Sequence, residues 1–184
     1  MSRKIPPAEM IGLRVAGLGL RLDARGSGIR MAVPACHARF LAAGPLDDGL
    51  ILQVRNGGPP MKEGWRPLYC PPDKWELWQD GRGSYTFVAP SVCPPARYAV
   101  VDAGFKAGEV IGDFSGNGDG APAEYPLSNI EILIFANWLA CFGDLILHAV
   151  GVDLAGAGYC FAGAGGAGKS TLACALSGSS EVTC

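Results

Sequence analysis

The chain has 184 residues, 49% hydrophobic and 17% charged, so it is globular and long enough to bury a core as one domain or two small ones. A formal net charge of −2 supplies no global basic field, which disfavours nucleic acid and an anionic membrane surface as partners. Seven cysteines, at 36, 70, 93, 141, 160, 174 and 184, form no C-x-x-C pair and no zinc-like cluster, and so predict a reducing, cytoplasmic setting.

The first seven residues carry Arg3 and Lys4 but then Pro6 and Pro7 instead of an apolar run, so no signal peptide is evident. Residues 1–125 are rich in Gly and Pro, with short apolar or alternating runs between turn signals, the pattern of a β-rich domain. Residues 50–54 read as a strand ended by Asn56, Gly57, Gly58, Pro59 and Pro60. Residues 74–79 and 84–88 alternate at period two through Trp75, Leu77, Tyr85 and Phe87 around a Gly-containing turn, which predicts a hairpin. Residues 97–102 and 109–114 suggest a further strand pair. Residues 115–122, four of them Gly or Pro, read as a linker and place a domain boundary near 125. His37 beside Cys36 has neither a third ligand nor the usual surroundings of a nucleophile in the sequence, so a structural role is expected. Trp65, Tyr69, Trp75 and Trp78 read as core aromatics in preference to a binding surface. No site is predicted before residue 125.

After the linker, Ser128 followed by Glu131 has the spacing of a capping box, predicting a helix from there to about Phe142, stopped by Gly143. Residues 144–153 then read as a strand. Residues 130–150 are the most apolar window, but Glu131, Asn137, Asp144, His148 and Gly143 interrupt it, so a buried helix and strand are predicted and not a membrane span. Cys141, Cys160 and Cys174 fall on apolar positions, where a free thiol acts as a small hydrophobe. A turn over 154–158 and a return strand over 158–162 lead into Gly163, Ala164, Gly165, Gly166, Ala167, Gly168, Lys169 and Ser170, then Thr171.

This run satisfies G-x-x-x-x-G-K-[ST], the phosphate-binding loop, between an apolar strand and a helix over 169–176. Its glycines allow positive φ and close backbone approach to an anion, and the amides at the helix start favour negative charge. Lys169 is expected to reach the β- and γ-phosphates of a nucleotide, and Ser170 to give its hydroxyl to Mg²⁺.

The run 147–153 with His148, the Gly-bearing turn, residues 158–163 and the phosphate loop together resemble the catalytic domain of bacterial HPr kinase/phosphorylase. They resemble more closely the HPr-kinase-like proteins that join this core to a different N-terminal domain. The resemblance covers about residues 127–184. It implies ATP with Mg²⁺ on residues 163–171, a catalytic Lys169 and His148, a metal-holding Ser170, and transfer of the γ-phosphoryl of ATP to a serine hydroxyl of a protein or peptide. Taken alone, His148 on an apolar strand reads more readily as a hydrogen-bonded core residue than as a catalytic one. The resemblance also leaves a homo-oligomer open, with no interface legible.

Thr171 stands where family members with HPr kinase activity typically carry Glu, and no Asp follows Lys169, although the family's general base is an aspartate on the strand after the loop helix. The expectation is therefore the front portion of a longer protein, with turnover only in the intact form. Two other readings stay open: a P-loop NTPase or transport ATPase fragment, and a non-enzymatic interaction module with a vestigial loop. The expected fold is α+β or α/β, a small β-rich domain over 1–125 followed over 126–184 by the incomplete start of a P-loop kinase core.

Overall fold

Two apolar side chains at period two build the first strand of the computed structural model, Met10–Val15 (β1), in which Ile11 and Leu13 are buried. The structure describes residues 5–44, 46–60, 63–72, 75–89, 96–115, 121–128 and 130–177, and the backbone of 182–183. It divides into two compact units, Met1–Trp138 and Leu139–Cys184.

In the first unit, β1 turns through Ala16 and Gly17 into Leu18–Asp23 (β2), with Val15 opposite Leu18. A short 3-10 helix, Ala35–Phe40, follows, and then Leu50–Asn56 (β3), whose Leu50, Leu52 and Val54 alternate into the core. The remaining strands are Arg66–Tyr69 (β4), Glu76–Gln79 (β5), Tyr85–Ala89 (β6), Arg97–Val101 (β7) and Ala107–Gly112 (β8). They form one eight-stranded sheet in the order β1-β2-β3-β8-β7-β6-β5-β4. The strand over 50–54, the hairpin of β5 and β6 and the pair of β7 and β8 agree with the sequence reading; β1, β2 and β4 were not anticipated. Both parallel pairings, β2 with β3 and β3 with β8, lie in the half of the sheet that ends at β1, and the other neighbours are antiparallel.

The turn between β7 and β8 is closed by Asp102, whose carboxylate accepts from the amides of Gly104, Lys106 and Ala107 at 2.9–3.1 Å. It delivers Phe105 into the core, where the ring stacks on Trp138 with centroids 6.2 Å apart. Trp138 belongs to the helix Glu131–Ala140 (α1), which buries Ile134, Phe135 and Trp138 beside Leu127 and Ile130. The expected capping box does not form. Ser128 Oγ donates instead to the Tyr125 carbonyl, and the Glu131 carboxylate is held by Tyr125 and His37. Most of the linker expected over 115–122, residues 116–120, lies outside the described residues.

Asp23 is a buried carboxylate at the end of β2, bound by the Arg25 guanidinium at 2.9 and 2.6 Å and by the Arg25 amide at 3.1 Å. The Arg25 hydrogen bond holds its carboxyl below the ordinary carboxylate range, against the opposing effect of burial. A lowered folded-state value means that this stability is present above the unfolded carboxyl's pKa and is lost as pH falls through the folded value, below about pH 4. Denaturant melts between neutral and acid pH should therefore show a shallower acid loss of stability in Asp23→Asn than in the wild type.

The second unit holds Ala149–Leu154 (β9) and Ala157–Ala162 (β10), joined by Ala155 and Gly156 as a two-residue turn with positive φ at both positions. Asp153 Oδ1 accepts from the Gly156 amide at 2.8 Å and stabilises that turn. Lys169–Leu176 (α2) follows, and Val182–Thr183 (β11) pairs with the free side of β9, giving the order β10-β9-β11. Both neighbours of β9 are antiparallel to it.

The expected α/β P-loop core is thus corrected. The protein is mostly β, one large mixed sheet plus a small antiparallel one with short helices. A P-loop core needs parallel strands buried on both faces, whereas β10 is exposed along its whole length and Val152 is the buried hydrophobic residue of this unit among those described. The strand expected over 144–153 begins only at Ala149. Cys141, Cys160 and Cys174, expected to pack as small hydrophobes, are exposed. Among the described residues no helix is long and apolar enough to cross a membrane.

Candidate phosphate-binding loop

The hairpin register carries the chain to the loop. Ala162, the last residue of β10, pairs with Ala149, the first of β9, so Gly163 and His148 leave the same end of the hairpin. Residues 163–168 then form an exposed turn in which the Ala167 amide donates to the Ala164 carbonyl at 3.2 Å. Gly166 and Gly168 have φ of 80° and 82°, the left-handed region that a side chain resists. Gly163 is tight for another reason: a Cβ there would come within 3.2 Å of the Ala167 Cβ.

Gly168 is the N-cap of α2 and has no side chain to offer its amides. The first bond into the helix is Leu172 N–H to the Gly168 carbonyl, at 2.9 Å. The amides of residues 168–171 therefore have no intrahelical acceptor and are open to a ligand or to water. Partial positive charge accumulates there, at the end of the loop. The Lys169 ammonium folds back across the loop and donates to the carbonyls of Gly163 at 2.8 Å and Ala164 at 2.9 Å. It is held at the loop's opening with one donor left over. Ser170 and Thr171 are exposed on the first turn of α2.

These features fit a phosphate chain: free amides, two left-handed glycines, and a cation whose present partners are neutral carbonyls it can exchange for phosphate oxygens. For Mg²⁺ the protein offers the Ser170 hydroxyl, and among the described residues no group of three or more His, Cys, Asp or Glu side chains could hold a metal. A metal here would take most of its ligands from the phosphates and water, as Mg²⁺ commonly does.

His148, expected on a strand, is exposed and lies one residue before β9. Gly163, where the loop starts, and His148 thus leave the same end of one hairpin. Sequence spacing missed a second constellation altogether. In the first unit His37 acquires a partner 94 residues away, Glu131, and no local spacing signals such a pairing.

Compared with protein-family models, with curated proteins and with solved structures, the chain finds no match.

Proposed function

We propose that residues 163–171 bind the phosphate chain of ATP together with Mg²⁺, and that the protein in intact form is an HPr-kinase-like serine kinase acting on a protein or peptide. The observation that carries this reading is the Lys169 ammonium, tethered to the Gly163 and Ala164 carbonyls beside the open amides at the start of α2. Bound phosphates would take the place of those carbonyls on Lys169 and accept from the amides of residues 168–171. Lys169 would then neutralise charge developing on the transferred group, and Ser170 would hold the metal. His148, which leaves the same end of the hairpin as Gly163, would supply an imidazole for the acceptor's proton. The resemblance of residues 147–170 to HPr-kinase-like cores favours a serine hydroxyl as acceptor.

Calorimetric titration with ATP and with pyrophosphate, each with and without Mg²⁺, tests the binding. Saturable binding of both is expected, and none by about 1 mM ligand, weaker than about −4 kcal/mol, would overturn it. Incubating a serine-containing peptide library with γ-labelled ATP, Mg²⁺ and the intact form of the protein tests the reaction. Phosphoserine on a subset of peptides is expected. Binding without any transfer of label would reduce the protein to a phosphate-binding module.

A further inference from the structure

The first unit brings the neighbours Cys36 and His37 to Tyr125 and Glu131, about 90 residues further along the chain. The 3-10 helix carrying Cys36 and His37 follows a segment fastened to residues 121–125: the Ala32 amide donates to the Ala123 carbonyl and the Ala123 amide to the Arg30 carbonyl, both at 2.8 Å. Arg97 anchors the other side of that segment, donating to the Tyr125 carbonyl at 2.7 Å and to Glu124 Oε2 at 2.8 Å. Tyr125 is buried, its ring lies 4.7 Å from the His37 imidazole, and α1 starts six residues later with Glu131.

The hydrogen bonds then run in one direction. Tyr125 Oη donates to Glu131 Oε1 at 2.6 Å, and burial, with the Glu131 charge beside it, pushes the phenol far above its ordinary range, so it remains a donor. Glu131 Oε2 lies 2.7 Å from His37 Nε2. A carboxylate only accepts, so Nε2 carries a proton, and in the neutral imidazole Nδ1 then presents its lone pair. Nδ1 lies 3.4 Å from Cys36 Sγ, which is exposed. A nucleophile within reach of a base, and that base oriented by a carboxylate, is the arrangement of an activated thiol. The three groups are strung in series through the imidazole; they do not converge on a point as metal ligands do.

We propose that Cys36, His37 and Glu131 form a thiol-exchange site for low-molecular-weight disulfides. Cys36 Sγ attacks one sulfur of R–S–S–R, the Cys36–S–S–R bond forms as the original S–S bond breaks, and His37 Nδ1 takes the thiol proton and passes it to the departing RS⁻, giving RSH. The disulfide is the oxidant; no other co-reactant is consumed. Charge develops only on sulfur in this step, so an imidazole suffices, whereas acyl transfer would also need donors aimed at an oxyanion. Cys36 is the nucleophile, His37 the proton carrier and Glu131 a positioning residue.

The test is exposure of the full chain to oxidised glutathione at neutral pH, with the rate of mixed-disulfide formation read at each cysteine by peptide mass spectrometry. Cys70, Cys160 and Cys174 are also exposed and serve as internal standards. Cys36 should react at least about tenfold faster than they do. His37→Phe, which keeps a ring against Tyr125, should bring Cys36 into their range, and Glu131→Gln should slow it several-fold while the standards keep their rates. Cys36 reacting no faster than the standards in the wild type overturns the proposal without any variant. So does a Cys36 that stays fast in a His37→Phe protein with a normal thermal transition.

Discussion

Lys169→Ala is expected to weaken MgATP binding by about 10- to 100-fold while leaving the fold unchanged. A hydrogen bond between charged groups contributes about 1.5–3 kcal/mol, and about 1.4 kcal/mol is a factor of ten in affinity. The Lys169 ammonium now rests on two neutral carbonyls at the rim of the loop. Exchanging them for phosphate oxygens gains charge–charge attraction, and alanine forfeits it. The amides of residues 168–171 survive the substitution, so some affinity for phosphate should remain. Stability should change by less than about 0.5 kcal/mol, because the Gly163 and Ala164 carbonyls are exposed and water replaces the ammonium. Titration calorimetry alongside a thermal melt reads both quantities. Undiminished binding by a folded Lys169→Ala protein would move the nucleotide to some other surface. Ser170→Ala should weaken binding only when Mg²⁺ is present, which separates the hydroxyl's role from the lysine's.

Gly108→Ala is expected to destabilise the first unit by about 3 kcal/mol, a large share of the roughly 5–15 kcal/mol that holds a domain together. Gly108 lies in β8, registered with Leu52 of β3 across a parallel pairing and with Val101 of β7 across an antiparallel one. A Cβ added there would stand 2.1 Å from the Val100 carbonyl oxygen and 2.8 Å from the Leu52 Cδ2. The first is backbone of a neighbouring strand, and the second belongs to a fully buried side chain. Neither can retreat without opening the middle of the sheet. Gly81→Ala is the control, since nothing lies within 4 Å of its Cβ position, and it should cost less than about 0.5 kcal/mol. Urea melts of the two variants decide the matter; a Gly108→Ala protein as stable as the wild type would contradict the pairing of β3, β7 and β8.

Local chemistry made several elements legible in the sequence. The hairpin of β5 and β6 announces itself by alternation around a turn, and α2 begins at Lys169 because a glycine-rich loop ends there. Gly143 marks the end of the α1 segment, where its amide and that of Asp144 close on the carbonyls of Ala140 and Leu139. These features depend on residues a few positions apart, and backbone preferences of that range act before any tertiary contact forms.

What the tertiary structure decided is of longer range. Leu50, Leu52 and Val54 alternate in the sequence, but nothing in them says that β3 runs parallel to both β2 and β8. Ser128 and Glu131 have capping-box spacing, yet Tyr125 and His37 offer Glu131 a buried phenol and an imidazole, while the Ser128 amide donates to the Tyr125 carbonyl at 3.2 Å. The strand before residues 163–170 is apolar enough for a P-loop core, but β10 pairs as an antiparallel hairpin strand and stays exposed. By itself, then, the sequence determined the loop from Gly163 to Ser170, its lysine and the helix leaving it. The eight-stranded order and the chain from Cys36 to Glu131 were settled only in the folded protein, because they depend on which distant apolar surfaces leave water together, a sum over the whole chain that no local spacing records.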